Sequence, residues 1–281
     1  MLIADAQVHV WGPNTPERPW LPGQKIHRDT PFGPDELLRE MDAAGVQRCA
    51  IVPPRWEGPR HDVVQEAARR YPDRFIAMGR VDTETPGERG VVVDWCRQSG
   101  MAGFSCTFNQ PNQIKTLVEE RMDWLWEEAE AAGLPIMVLV PHPLISHLER
   151  VARRHPQLKL TMRHLALSNG EYDDVAFRDL DRLLALAKYP NVSVNATALP
   201  ACTKDVYPYR RLHPYLRRVY DAFGPKRMHW GSDLSRMSCT YRQTVTMFTE
   251  EIPWLTAEDK EWIMGRSICA WLGWKLPGNQ Q

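Results

Sequence analysis

Eight short apolar runs recur along the chain, each separated from the next by a more polar stretch with helical spacing. The runs lie at 2–10, 49–54, 75–82, 102–108, 135–142, 158–167, 191–198 and 227–234. Continuous apolar character over so few residues is what a strand covered on both faces requires, the situation in parallel sheets flanked by helices. Between the runs, helices are predicted over 34–45, 62–72, 88–100, 122–133, 144–156 and 174–190. The first opens on Pro34 and closes at Gly45, the usual asymmetry of helix ends. The second sets Val63, Ala67 and Tyr71 on one face and stops at Pro72. Two further helical units are expected around 213–223 and 240–250, with a C-terminal helix over about 256–272.

Strand–helix alternation repeated eight times predicts an α/β protein, a single (β/α)8 TIM barrel with a C-terminal helix, one domain over 1–281. A doubly wound open sheet is the rival, and the count of eight favours the closed barrel. Two irregular stretches, 12–34 with Trp20 and 199–212, follow the first and seventh strands. Both leave C-terminal strand ends, the end of a barrel that carries active sites.

Composition narrows the function. The 281 residues hold 35 Lys+Arg and 35 Asp+Glu, so the formal net charge is zero. With no basic stripe, nucleic acid is not the expected partner. No apolar run approaches the roughly 20 residues of a membrane helix, and the opening MLIADAQVHVW has no basic n-region. A cytoplasmic enzyme with a small-molecule substrate is expected, with a homodimer as the assembly. The six cysteines form no CxxC pair and are irregularly spaced, so no disulfide framework is expected and most are read as small buried hydrophobes.

The chemistry is sought at the strand ends. The first strand carries Asp5, Gln7, His9 and Trp11, and Gln7 and His9, two apart, share a face. The fifth ends in His142, the sixth in His164 and the eighth in Asp233, within HWGSD. In a closed barrel these ends converge on one mouth. Three imidazoles and a carboxylate suit either zinc or metal-free acid–base work. Arg55 and Arg236 follow the second and eighth strands and could fork onto a substrate carboxylate. Trp11, Trp20 and Trp56 offer aromatic walls, and Asn195 in the seventh strand offers a donor to substrate. Arg163, one residue before His164, is expected on the opposite face of its strand, away from the mouth.

These motifs, in order, resemble the amidohydrolase superfamily, in particular amidohydrolase family 2. The family's opening D-x-H-x-H appears as Asp5-Ala-Gln7-Val-His9, followed by Trp11. Pro72-Asp-Arg-Phe75 leads to Val81-Asp82, Gly103-Phe104 sits at the fourth strand, and His164-Leu165 ends the sixth. Trp230-Gly-Ser-Asp233-Leu234 matches the eighth, and Ile263-Met-Gly265 to Leu272-Gly273 the final helix. The resemblance covers almost the whole chain.

The resemblance implies a hydrolase of a small carboxylic ester or lactone, similar to pyrone-dicarboxylate lactonases. Asp233 would activate water, with His164 or His142 polarising the carbonyl. It also implies one divalent metal, zinc or manganese, on His9, His142, His164 and Asp233. Gln7, however, stands where the family places its first metal-binding His, and residues 105–107 offer no Lys or Glu to bridge two metals. A weakly held metal, or none, is therefore expected. The alternatives are a metal-dependent decarboxylase or hydratase acting on an aromatic or muconate-type acid, and a non-catalytic binding protein.

Overall fold

The computed structural model describes residues 1–84 and 89–275. Residue 88 of the expected third helix and residues 276–281 of the expected domain lie outside them. Among the described residues the strands are β1 Ala4–His9, β2 Arg48–Val52, β3 Phe75–Ala77, β4 Gly79–Arg80, β5 Phe104–Thr107, β6 Ile136–Leu139, β7 Leu160–Met162, β8 Val192–Ala196 and β9 Met228–Trp230. Every pairing is parallel, in the orders β1-β2-β3 and β4-β5-β6-β7-β8-β9. β3 and β4 are one barrel position interrupted at Met78. The Met78 N–H donates to the Ile51 carbonyl on β2 at 2.9 Å, while the Ala102 N–H reaches the Ala77 carbonyl at 2.8 Å. At the seam between β9 and β1, the Asp233 N–H donates to the Gln7 carbonyl at 2.9 Å. The architecture is a (β/α)8 barrel whose seam is held by single bonds rather than by a ladder.

The helices are α1 Pro34–Ala44, α2 Asp62–Arg70, α3 Val91–Gln98, α4 Pro111–Val118, α5 Asp123–Ala132, α6 Ile145–Arg154, α7 Asp173–Phe177, α8 Leu180–Leu184, α9 His213–Phe223, α10 Tyr241–Thr249, α11 Ala257–Glu261 and α12 Ser267–Leu272. α1 shows the local logic. Pro34 starts it, Asp35 and Glu36 face the positive end of its dipole, and Leu37, Met41 and Ala44 are buried. Gly45 ends it at φ 78°, where its N–H returns to the Asp42 and Met41 carbonyls.

Two departures from the expected elements have local causes. The helix over 174–190 is broken into α7, α8 and a 3-10 turn, because Asp179 leaves helical geometry at φ −105° and ψ 19°. α4 was not predicted. Its start is written by Pro111 in the first turn and by a reciprocal cap between Gln110 and Gln113.

The C-terminal helix is α11 and α12 joined by a π-helical turn, Trp262–Arg266. This turn passes under the barrel so closely that a Cβ on Gly265 would lie 2.4 Å from the Leu2 carbonyl oxygen. Ala4, Ala6, Ala50, Val52, Met78 and Met137 pack there with Ile268 and Cys269 of α12, leaving the opposite end as the open one.

Candidate active site

The C-terminal ends of the strands surround a cavity of about 630 Å³. Its centre is Asp233, which follows β9 and is 1% exposed. Asp233 adopts the left-handed conformation (φ 53°, ψ 44°), a region that Asp tolerates better than most residues. Such a residue costs on the order of 1–3 kcal/mol and persists only where its surroundings hold it. Here Asp5 supplies the hold. Its buried carboxylate accepts from the Gln7 N–H, the Ser232 N–H and hydroxyl, and the Tyr241 hydroxyl. Burial pushes the Asp5 carboxyl up to about 6 against the pull of these bonds. The segment has no room for a side chain at Gly231, where a Cβ would meet Thr197 Cγ2 at 2.5 Å and Asp5 Oδ1 at 2.8 Å.

His164 is presented in the same strained manner. It opens three consecutive left-handed residues, His164, Leu165 and Ala166, at φ 51°, 52° and 58°. Thr197, just past β8, anchors the turn, because its hydroxyl lies 3.3 Å from the His164 N–H and 2.7 Å from Nδ1. On β1 a bulge between Asp5 and Val8 offsets the strand before Gln7 and His9 reach the mouth. His9 Nδ1 donates to the Val52 carbonyl at 2.8 Å. Its Nε2 is therefore left facing Asp233 Oδ1 at 3.6 Å, and His164 Nε2 lies 3.8 Å from Oδ2.

Arg163 corrects the expectation made from the strand alternation. β7 ends at Met162, so the two-residue period no longer governs residue 163, and its side chain turns into the cavity. Its Nε donates to Gln7 Oε1 at 2.6 Å and its Nη1 to Ser105 Oγ at 2.8 Å. This fixes the Gln7 amide, whose NH2 points at Asp233 Oδ1 (3.4 Å) and His164 Nε2 (3.5 Å). On the far side Arg236 Nη1 stands 3.5 Å from Asp233 Oδ2, and Nη2 donates to Asn169 Oδ1.

The remaining expected residues divide. Arg55 and Arg236 line the cavity, with Trp56 as an aromatic wall. Trp11 does not. It lies fully buried behind Trp56, rings 5.0 Å apart, and its indole N–H donates to the Thr30 carbonyl. His142 is not among the cavity-lining residues either. β6 stops at Leu139, Pro141 and Pro143 turn the chain, and His142 Nε2 is bonded to the Leu165 carbonyl at 2.9 Å. Asn195 is fully buried within β8, its Oδ1 accepting from Thr161. The structure therefore assembles His9, His164 and Asp233 around one point and leaves His142 and Asn195 outside the cavity.

Sequence reasoning missed His27. It comes from the long loop after β1, with its ring 5.7 Å from His9 and 4.8 Å from Trp56 and its Nδ1 on Ser235 Oγ. That this loop leaves a C-terminal strand end was the signal available.

Electrostatically the cavity is cationic. Among the described residues that line it, Lys25, Arg55, Arg80, Arg163 and Arg236 stand against one carboxylate, Asp233, with Glu84 pairing Arg55 from just outside at 3.4 Å. Burial opposes the ionisation of Asp233, but the positive charge facing it from His9, His164 and Arg236 outweighs burial and holds the carboxyl well below the usual range, with Arg236 the one that remains charged once the imidazoles are neutral. Burial keeps His9 and His164 below their usual value and His27 at about 3. It brings the Arg163 guanidinium down to about 10, still charged at neutral pH.

A divalent metal does not fit these donors. The only ligating atom of Gln7 is taken by Arg163, and an amide NH2 has no lone pair to offer a cation. A guanidinium stands beside it, and His142 is elsewhere. Among the described residues no group of three or more His, Cys, Asp or Glu is placed to hold a metal.

Comparison with known proteins sets this geometry in a family. Residues 4–272 match the amidohydrolase family profile. An L-fucono-1,5-lactonase of Burkholderia ambifaria is 26% identical over 248 residues, 82% of this chain and 79% of that protein. A 4-sulfomuconolactone hydrolase of Hydrogenophaga intermedia is 25% identical over 234 residues, 82% of this chain and 73% of the other. An amidohydrolase of Burkholderia multivorans, solved with bound zinc, superposes with a TM-score of 0.79 at 18% identity, covering 97% of this chain and 99% of that one. The chain belongs to the amidohydrolase family and is a hydrolase of that family.

Proposed function

We propose that this enzyme opens a lactone that carries a carboxylate, with Asp233 as the base. The observation that carries the reading is one buried carboxylate, flanked by two imidazoles, in a cavity whose described lining also carries five cationic side chains and no second carboxylate. The lactonase names of the two relatives support the reaction class.

Gaps of 3.6 and 3.8 Å between Asp233 and the two Nε2 atoms are too long for direct hydrogen bonds and too short to hold a water in line, so the attacking water sits to the cavity side of a gap, within reach of both the carboxylate and an imidazole. Such a water gives one hydrogen bond to Asp233 and one to an imidazole Nε2, which leaves an oxygen lone pair for the carbonyl carbon. As the C–O bond forms, its proton passes to Asp233. The tetrahedral alkoxide then collapses, the ring C–O bond breaks, and the leaving alkoxide takes the proton back. Asp233 is a weak base, but it is ionised at any working pH, and water gains acidity as it adds to the carbonyl. Arg55 and Arg236 hold the substrate carboxylate by charge-assisted bonds.

The decarboxylase or hydratase alternative needs a metal to grip the substrate acid, and the Gln7 NH2 stands where the extra ligand would be. The test is turnover of a panel of five- and six-membered lactones with and without a carboxylate. The reading expects kcat/KM at least about 10-fold higher for the carboxylated members, one charge-assisted bond's worth. Turnover confined to neutral lactones, or decarboxylation of aromatic acids alone, would overturn it.

A further inference from the structure

Arg163 is 5% exposed, yet its bonded partners, Gln7 Oε1 and Ser105 Oγ, are both uncharged. A guanidinium taken out of water without a bonded carboxylate is costly. It is retained next to Asp233, in the cavity, where its charge faces the reacting groups. Gln7 explains how it stays there. An imidazole at position 7 would present an uncharged ring with one acceptor nitrogen, whereas the amide accepts from Arg163 at one end and donates towards Asp233 and His164 at the other.

We propose that the Arg163 guanidinium, locked by Gln7, is this enzyme's resident substitute for the family's divalent metal: a fixed positive charge that also keeps metal ions out of the cluster of His9, His164 and Asp233. Positions 7 and 163 then work as a pair. Restoring the family's histidine at position 7 alone does not create a metal site, because the cation at 163 still repels one and the new ring loses the bond that positioned it. Both positions must change.

The experiment is calorimetric titration of zinc into the wild-type protein and into Gln7→His, Arg163→Met, Gln7→His/Arg163→Met and Asp233→Asn, each verified as folded by circular dichroism. Gln7→His/Arg163→Met is expected to bind one zinc at least about 100-fold more tightly than the wild type or Gln7→His, the scale on which neighbouring groups tune metal affinity. Three results would overturn the proposal. One is a wild-type protein that binds one zinc and loses it in Asp233→Asn. Another is a Gln7→His protein that binds as tightly as the double variant. The third is a folded double variant that binds no better than wild type. If the double variant does not fold, the wild-type and Asp233→Asn titrations decide alone, since wild-type protein without an Asp233-dependent zinc site is the expected result. No substrate enters these measurements, so failure of the lactone reading leaves this test intact.

Discussion

At the scale of single residues, the cavity separates charges that do chemistry from charges that hold substrate. Arg55 faces the cavity and, among the described residues, has Glu84, at 3.4 Å, as its ionic partner, with both side chains partly exposed. Its removal leaves the Asp233 cluster untouched. Arg55→Met is therefore expected to raise KM for a carboxylated lactone by about 10- to 100-fold, the value of a charge-assisted bond, with kcat nearly unchanged and neutral lactones unaffected. Steady-state kinetics on the two substrate types checks this, and an equal loss on both would assign Arg55 a structural task. The residue scale also shows where the sequence was legible. Gln7 and His9 share a face because a strand alternates, and both reach Asp233. Arg163 was misplaced by the same rule, because the strand ends one residue earlier and the left-handed turn that begins at His164 has no signature in the residue types.

At the scale of elements, the site depends on turns that the chain would not adopt unaided. The 163–166 turn carries three left-handed residues and is tied to β8 through the Thr197 hydroxyl. Thr197→Val keeps the shape and removes the acceptor, leaving the buried His164 N–H and Nδ1 without a partner. A loss of about 1–3 kcal/mol of stability is expected, with a fall in kcat greater than any rise in KM because His164 is no longer aligned. Urea unfolding together with kinetics measures both, and a variant of wild-type stability and activity would show that the turn needs no anchor. The eight strands were legible because they are continuous apolar runs. α4 was not, since Pro111–Val118 is short and its signal lies in the Gln110 and Gln113 cap rather than in periodicity. The apolar run at 135–142 places His142 at the mouth, but β6 ends at Leu139 and His142 opens a 3-10 turn that bonds its ring to the Leu165 carbonyl instead.

At the scale of the whole molecule, the barrel buries neutral histidines at its mouth and its base. Burial lowers the folded-state pKa of His9, His142 and His164, and brings His27 and His229 to about 3. A group whose folded pKa is depressed contributes stability that is complete above its unfolded value, near 6.5, and is lost as pH falls towards the folded value. His27 and His229, whose folded values lie at about 3, each cost about 1.4 kcal/mol per pH unit between 6.5 and that value, and the others add in the same direction. Asp5 acts in the opposite sense, its contribution being complete below 3.8 and lost as pH rises through about 6, but it is one group against five. The unfolding midpoint is thus expected to fall steeply between pH 6.5 and 4.5, and a pH-independent midpoint across that window would contradict the burial of neutral rings. No helix among the described residues is long and apolar enough to cross a membrane.

The central claim is that Asp233 is the base in a lactone-opening site, and the most direct measurement is kcat/KM of Asp233→Asn on a carboxylated lactone that the wild-type enzyme turns over. The substitution is nearly isosteric, and Asn also tolerates the left-handed backbone at this position, so the fold is retained. Loss of the proton acceptor predicts a fall of about 10²- to 10⁴-fold. A folded Asp233→Asn protein that keeps most of its activity would contradict the account.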